Sequence, residues 1–353
     1  MIEDAVRRMT EECDYLQGFH VIFDAHNGFS GISSNILQYL DDEYHAHPSI
    51  CFPVFQDKNA FPVQDVKQQM HRLFAILLSM SNMNIHSSFF SPLSFSDDVV
   101  KLAEPYRTFP FIQYDVKLQY HTSAIIAAAI ETLTSPYRHK SLKFSMSEIS
   151  SGMSIYGRKL VCSSLCLPFP LCDDTFISTM VEKDGPEHYV TSLSPFYKPD
   201  SEKTLYQSSV LRGVPLTRFQ KPGKSLYHSA TPEELFKQYL AEYSASSVTT
   251  ATVFYEKCSV VPPFPKIFNS TVGVNGLLHP GVLSNSQGVE KVPVAASFSS
   301  SDSSAQFIDG LLSQANKLHF KEYVKCVETA YEKDDYQEVL QNLIGLKESY
   351  QDY

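Results

Sequence analysis

The sequence predicts an α/β chain with four parts: a parallel-sheet βαβ unit, a central buried helix, a mixed α/β stretch, and closing C-terminal helices. Three observations carry this. Between residues 19 and 55 a strand pattern, a glycine-bearing loop, a helical pattern and a second strand pattern follow one another. The stretch "YHTSAIIAAAIETLTSPYR" is helical and apolar on nearly every side, which belongs inside a protein. Three further stretches of helical periodicity close the chain beyond residue 303. The corresponding divisions are 1–117, 118–138, 139–302 and 303–353. A chain of 353 residues has room for two compact units, since domains commonly hold ~100–200 residues.

In order, Ile2, Val6, Met9, Cys13 and Leu16 recur at helical spacing over residues 2–17. Phe19 to Asp24 reads as a strand. The loop around Gly28 and Gly31 leads into a helix with Ile32, Ile36, Tyr39 and Leu40 on one side. Ile50 to Phe55 is the next strand, so the two strands of this βαβ unit should lie parallel. A helix is expected from Val63 to Met80, then irregular chain from Ser81 to Asp97. The buried helix centres on Ser123 to Leu133 and should stop at Pro136. Strands are expected within 159–170 and 250–261, with a helix at 231–243 between them. Thr231 is its N-cap, Pro232 its first-turn residue and Glu234 its capping-box partner. The Pro-, Gly-, Ser- and Asn-rich segments 193–203 and 262–290 read as loops or inserts. "VPVAASFSS" is a strand, and the closing helices carry Phe307 to Ala315, Tyr323 to Tyr331, and Val339 to Ile344, the last capped by Asp335 with Glu338.

Composition excludes several classes. A hydrophobic share of 43% argues for a substantial core, and a formal net charge of −10 argues against a broad nucleic-acid surface. The first fifteen residues hold five acids and no long apolar run, which suits neither a secretory signal nor a mitochondrial presequence. The apolar run from Ala124 to Ile130 falls far short of the ~20 residues a membrane span needs. The chain therefore reads as soluble. Seven cysteines are spread thinly; Cys162, Cys166 and Cys172 match no zinc spacing and read as small apolar fillers. The sequon Asn269-Ser270-Thr271 reads as idle. Residues 321–353 hold eight acids against four lysines, an acidic solvated face.

Several phrases are not anonymous. "VRRMTEECDYLQGFHVIFDAHNGFSGISSNIL" resembles the tubulin segment through the glycine signature loop, "LTSPY" the end of tubulin's core helix, and "LCLPFP" a following strand. "EECDYLQGF", "DAHNGFSGIS", "SAIIAAAIETLTSPYR", "LCLPFPL" and "SSVLRGV", in this order, resemble the Misato family of tubulin-like proteins and span most of the chain. The resemblance implies a tubulin/FtsZ-like fold, with an incomplete parallel-sheet domain of nucleotide-binding type and a smaller mixed-sheet domain. It also implies a short form or fragment, beginning at the helix before the glycine loop and lacking the opening strands and first nucleotide-binding loops. An open sheet edge of that kind invites pairing with other chains, so self-association or marginal stability is expected.

The resemblance aligns His26-Asn27-Gly28-Phe29-Ser30-Gly31-Ile32 with tubulin's phosphate loop, whose many bare amides close around phosphate oxygens at a helix N-terminus. Only Gly28 and Gly31 remain of its glycines; Phe29 sets an aromatic ring where close approach wants nothing, and Ile32 replaces the last small residue. Asn27, Gly28, Ser30 and Gly31 are thus candidates for a vestigial phosphate loop, against the plainer reading of a tight strand-to-helix turn. Tyr120 aligns near tubulin's purine-facing Asn; it can stack on a base without the amide's paired hydrogen bonds. The acidic loop that completes hydrolysis in FtsZ falls near Ser145-Met146-Ser147-Glu148, where Glu148 alone has the right chemistry.

Other motifs fail on spacing. Gly223-Lys224-Ser225 lacks the earlier P-loop glycine, Arg218 standing there. Gly28-Phe29-Ser30-Gly31 lacks glycine two places after the serine of a nucleophile elbow. His45 and His47 read as solvent-facing, and His121 as a core histidine in preference to a groove residue. The expectation is a non-enzymatic scaffold with no catalytic residues, metal or cofactor. From the resemblance come a role in mitochondrial distribution, morphology and fusion, a place in the cytoplasm and peripherally on the mitochondrial outer membrane, and protein partners there or on the tubulin cytoskeleton. The alternative is a GTP-binding, self-assembling GTPase.

Overall fold

The computed structural model describes residues 2–55, 66–96, 106–139, 144–171, 190–195, 197, 203–214, 231–243, 246–279, 281, 288–317 and 333–351. Among them are eight α-helices and eleven strands. Helix α1 (Ile2–Glu11) stops short of residue 17. Gln17 explains the early stop: its Nε2 donates to the Tyr137 carbonyl at 2.6 Å and its Oε1 accepts from Met146 N–H at 3.2 Å, drawing the chain off the helix axis. Gly18 follows with φ 151, where an added Cβ would strike the Pro48 carbonyl.

Strands β1 (Phe19–Asp24) and β2 (Ser49–Phe55) lie parallel, joined through α2 (Gly28–Tyr44). Helix α3 (Val66–His86) leads to the two-residue strands β3 (Phe89–Phe90) and β4 (Leu93–Ser94), which pair parallel with successive parts of β2. β2 is buried on both faces, as a near-continuous apolar run in a parallel sheet should be. Ile50 and Phe52 face one core, Cys51 and Phe55 the other. Burial pushes the Cys51 thiol up to about 12, which makes it an inert apolar filler. The expected irregular stretch is instead helical to His86, then strand. Tertiary contacts override the polar local sequence: Asn342 donates to Ser81 Oγ at 3.0 Å, and Lys159 Nζ caps the last turn through the Asn84 carbonyl at 2.8 Å.

Helix α4 (Gln119–Arg138) crosses the middle of the molecule, packed on β2 and on the second sheet. Pro136 lies inside its last turn rather than ending it. The Thr132 carbonyl that Pro136 cannot serve accepts from Ser135 Oγ at 2.7 Å, so the turn closes without the missing N–H. Helix α5 (Met146–Met153) follows, then β5 (Cys162–Cys166), β6 (Thr191–Ser192), β7 (Thr204–Arg212), α6 (Pro232–Tyr243), β8 (Ser246–Phe254), β9 (Cys258–Ser259), β10 (Lys291–Val292) and β11 (Val294–Ser301). The expected strand at 250–261 is therefore two strands, β8 and β9. The α6 capping box forms as read, with Thr231 N–H on Glu234 Oε2 at 2.7 Å and Glu234 N–H on Thr231 Oγ1 at 3.2 Å.

The second sheet runs β6-β5-β11-β7-β8, antiparallel except for the parallel pair β7 and β8 on either side of α6. Helices α7 (Ser304–Lys317) and α8 (Lys333–Glu348) pack with α2 and α3 on the far side of the parallel sheet. The middle closing helix expected around 323–331, the Gly223-Lys224-Ser225 turn with Arg218, and Cys172 lie outside the described residues.

Candidate functional site

The turn from β1 into α2 holds the sequence-predicted loop residues together. Asn27 is the α2 N-cap, and its Oδ1 accepts from Phe29 N–H at 2.9 Å. Its backbone carbonyl accepts from Ser30 N–H at 3.0 Å and from Ser30 Oγ at 2.8 Å. Its Nδ2 donates to Asp24 Oδ2 at 3.2 Å, which ties the cap to the end of β1. Two of the orphan amides that a phosphate would seek at a helix N-terminus are thus already engaged by Asn27. A methyl group added at Gly28 or Gly31 would meet nothing within 4 Å, so no other part of the chain approaches either glycine closely. Ser30 is buried, and its hydroxyl is directed back at the chain.

Beside this turn runs a cavity of about 780 Å³. Its floor is Ile22, Phe23 and Asp24 of β1 with Val54 of β2; one wall is Phe29, Ile32, Ser33 and Ile36 of α2, the other Ser123, Ile126, Ala127, Ile130 and Glu131 of α4. Both walls repeat at i, i+3, i+4 and i+7, so each is one helix face. Three consecutive β1 residues line the floor, and among the described residues β1 pairs with β2 alone. The groove therefore follows the open edge of the parallel sheet. It is apolar: Ile22 is 54% exposed, Phe29 61% and Ile32 48%. This exceeds the scattered exposed side chains of an ordinary surface.

Its charges sit at the ends. Asp24 lies beside the α2 N-terminus. At the other end Glu131 touches Arg212 through one carboxylate oxygen and stands 3.7 Å from Arg138 through the other. On the α4 side of β1, His20 Nε2 lies 2.8 Å from the Tyr137 hydroxyl, with its ring against Phe52. Desolvation, aided by Arg138, lowers the His20 pKa from 6.5 to about 4. The ring is neutral at neutral pH.

The other candidates lie elsewhere. Tyr120, 56% exposed in the first turn of α4, does not line the groove; its hydroxyl donates to the Pro263 carbonyl. Glu148 is committed to the α5 capping box, accepting from Ser145 N–H at 2.6 Å and Ser145 Oγ at 2.8 Å, bonds that lower its pKa. The S-x-x-E spacing at 145–148 is the signal that marks this helix start. His121 is half-buried and accepts from Asp115 N–H at 3.1 Å, holding the turn before α4. The core-histidine reading is corrected accordingly. His45 is exposed and His47 half-buried. The Asn269 side chain accepts from Thr271 and donates to the Pro110 carbonyl. Among the described residues no three His, Cys, Asp or Glu side chains are placed to hold a metal, and no helix is long and apolar enough to cross a membrane. The groove itself was not anticipated. Its only trace in the sequence is Ile32 and Ile36 on α2 and an apolar α4 whose Ser123 and Ala127 turn out to face solvent.

Residues 1–139 match a family model described as a tubulin domain. Protein misato homolog 1 of Homo sapiens is 31% identical over 357 residues, covering 99% of this chain and 62% of its own length. The same protein of Pongo pygmaeus is 31% identical over 358 residues, with the same coverage. Protein misato of Drosophila melanogaster is 25% identical over 363 residues, covering 99% of this chain and 63% of its own. The chain spans about three fifths of the length of these relatives. Matches over nearly its whole length and a tubulin domain across the parallel sheet and α4 support a Misato-family, tubulin-like protein.

Proposed function

We propose that this chain is a non-enzymatic, tubulin-like scaffold that acts through protein contacts in mitochondrial distribution, morphology and fusion, with a further role in spindle or tubulin handling. On this reading it works in the cytoplasm and peripherally at the mitochondrial outer membrane, without a nucleotide cofactor. Family resemblance supports the cellular role. The observation that supports the non-enzymatic reading is the closure of the loop by its own residue: Asn27 engages the Phe29 and Ser30 amides while Phe29 stands out over the groove.

The test has two arms. Titration of the purified chain with labelled GTP should show no saturable binding at micromolar protein. In cells lacking the protein, mitochondrial networks should be altered, and re-expression of Gly28→Ala or Ser30→Ala should restore them as well as the unaltered chain does. Saturable GTP binding, or failure of both variants to restore the network at normal protein levels, would favour the self-assembling GTPase instead.

A further inference from the structure

The two sheets meet at Arg158-Lys159-Leu160. The Phe90 amide of β3 donates to the Lys159 carbonyl and the Val161 amide donates to the Phe90 carbonyl, both at 2.8 Å, which joins the parallel sheet to the strand leading into β5. The chain reaches this joint through a tight turn in which Tyr156 takes φ 58, left-handed for a residue with a side chain.

The end of α8 closes on the same three residues. The Tyr350 hydroxyl donates to the Leu160 carbonyl at 2.6 Å and accepts from the Leu160 amide at 2.8 Å, so one side-chain oxygen holds both polar groups of one residue. Arg158, 2% exposed, donates from Nε to the Ser349 carbonyl at 2.9 Å and from Nη1 to Asp302 at 2.8 Å, with its guanidinium 5.2 Å from the Tyr350 ring centre. Asp302 follows directly on β11. The joint therefore gathers β3, β11 and the α8 terminus around two side chains, over a hundred residues apart in sequence.

We propose that residues 346–351 form a latch that fixes the angle between the two sheets, and that drawing the end of α8 away releases it. The groove makes this consequential. Its β1 and α2 sides belong to the parallel sheet, whereas the α4 wall also packs on β7 and β11. The angle between the sheets thus sets the width of the groove, and a binder of the α8 terminus would act on it from the far side of the molecule. This inference stands independently of the scaffold reading.

Hydrogen exchange followed by mass spectrometry on the full chain tests it. Tyr350→Phe removes the hydroxyl and leaves the ring, stranding the buried Leu160 amide and leaving the Leu160 carbonyl to Ser304 Oγ at 3.2 Å. Segments 87–94 and 158–166 should exchange about tenfold faster or more, while α2 and β8 keep their rates. Leu343→Ala, which loosens α8 without touching the joint, should instead accelerate exchange broadly. No acceleration at 158–166 in Tyr350→Phe, or the same pattern in both variants, overturns the latch.

Discussion

Gly31→Ala separates a nucleotide loop from a plain helix start. Gly31 lies in the first turn of α2, with no positive φ and nothing within 4 Å of the position its Cβ would take. A glycine in a helix interior costs about 1 kcal/mol relative to alanine, because more backbone freedom is lost on folding. Near the frayed end of the helix about half of that is realised. The substitution should therefore stabilise the chain by ~0.5 kcal/mol. Urea unfolding followed by far-ultraviolet circular dichroism reads this as a rise in the midpoint at unchanged slope. A functional phosphate loop behaves oppositely, since a methyl group in the cradle blocks the anion and removes any stabilisation that bound nucleotide supplies. Destabilisation beyond ~0.5 kcal/mol, or loss of a thermal shift produced by GTP, would refute the argument that Asn27 has closed this loop.

Three other outcomes follow from local geometry. Ser135→Ala leaves the Thr132 carbonyl of α4 without its donor beside Pro136 and should cost about 1–2 kcal/mol in urea unfolding, whereas Ser135→Thr should retain most of it. The His20 pKa lies below its unfolded value, so the stability it contributes is whole above pH 6.5 and is lost as pH falls toward 4. His20→Gln should flatten the stability profile across that window, and the ring resonance should titrate near 4 by NMR. Glu148 likewise titrates below its ordinary value, because Ser145 N–H and then Ser145 Oγ bond the carboxylate. The capping box should hold above pH 4.5 and weaken as pH drops through the lowered value, a dependence that Glu148→Gln removes.

The βαβ unit was legible because its signals are local: β-prone strands, a glycine-bearing loop and a helical stripe all agree over residues 19–55. The α6 capping box was legible for the same reason. Helix α3 beyond Met80 was not, because Ser81, Asn84 and the residues after them are held helical by Asn342 and Lys159, partners far along the chain. β7 was passed over because "TLYQSSVLR" mixes serines and glutamine into a buried strand, where Ser209 is paired with Ser297 across the sheet at 2.6 Å. Strand reading expects branched apolar residues at such positions. At the loop, sequence identified Asn27, Gly28, Ser30 and Gly31 as neighbours, and they are. That Asn27 would turn its own carboxamide on Phe29 N–H is a rotamer choice, which no spacing records. The groove was hidden more deeply, since an apolar helix face looks alike whether it meets a core or stands open beside a strand edge.

The Asn27 cap also makes the turn self-sufficient. A loop shaped around an anion keeps its form only while the anion is supplied, and so reports on its concentration. Here the shaping group is covalently attached and uncharged, present at fixed stoichiometry from synthesis onward. The β1–α2 corner should then look the same in phosphate buffer, in sulfate or in neither.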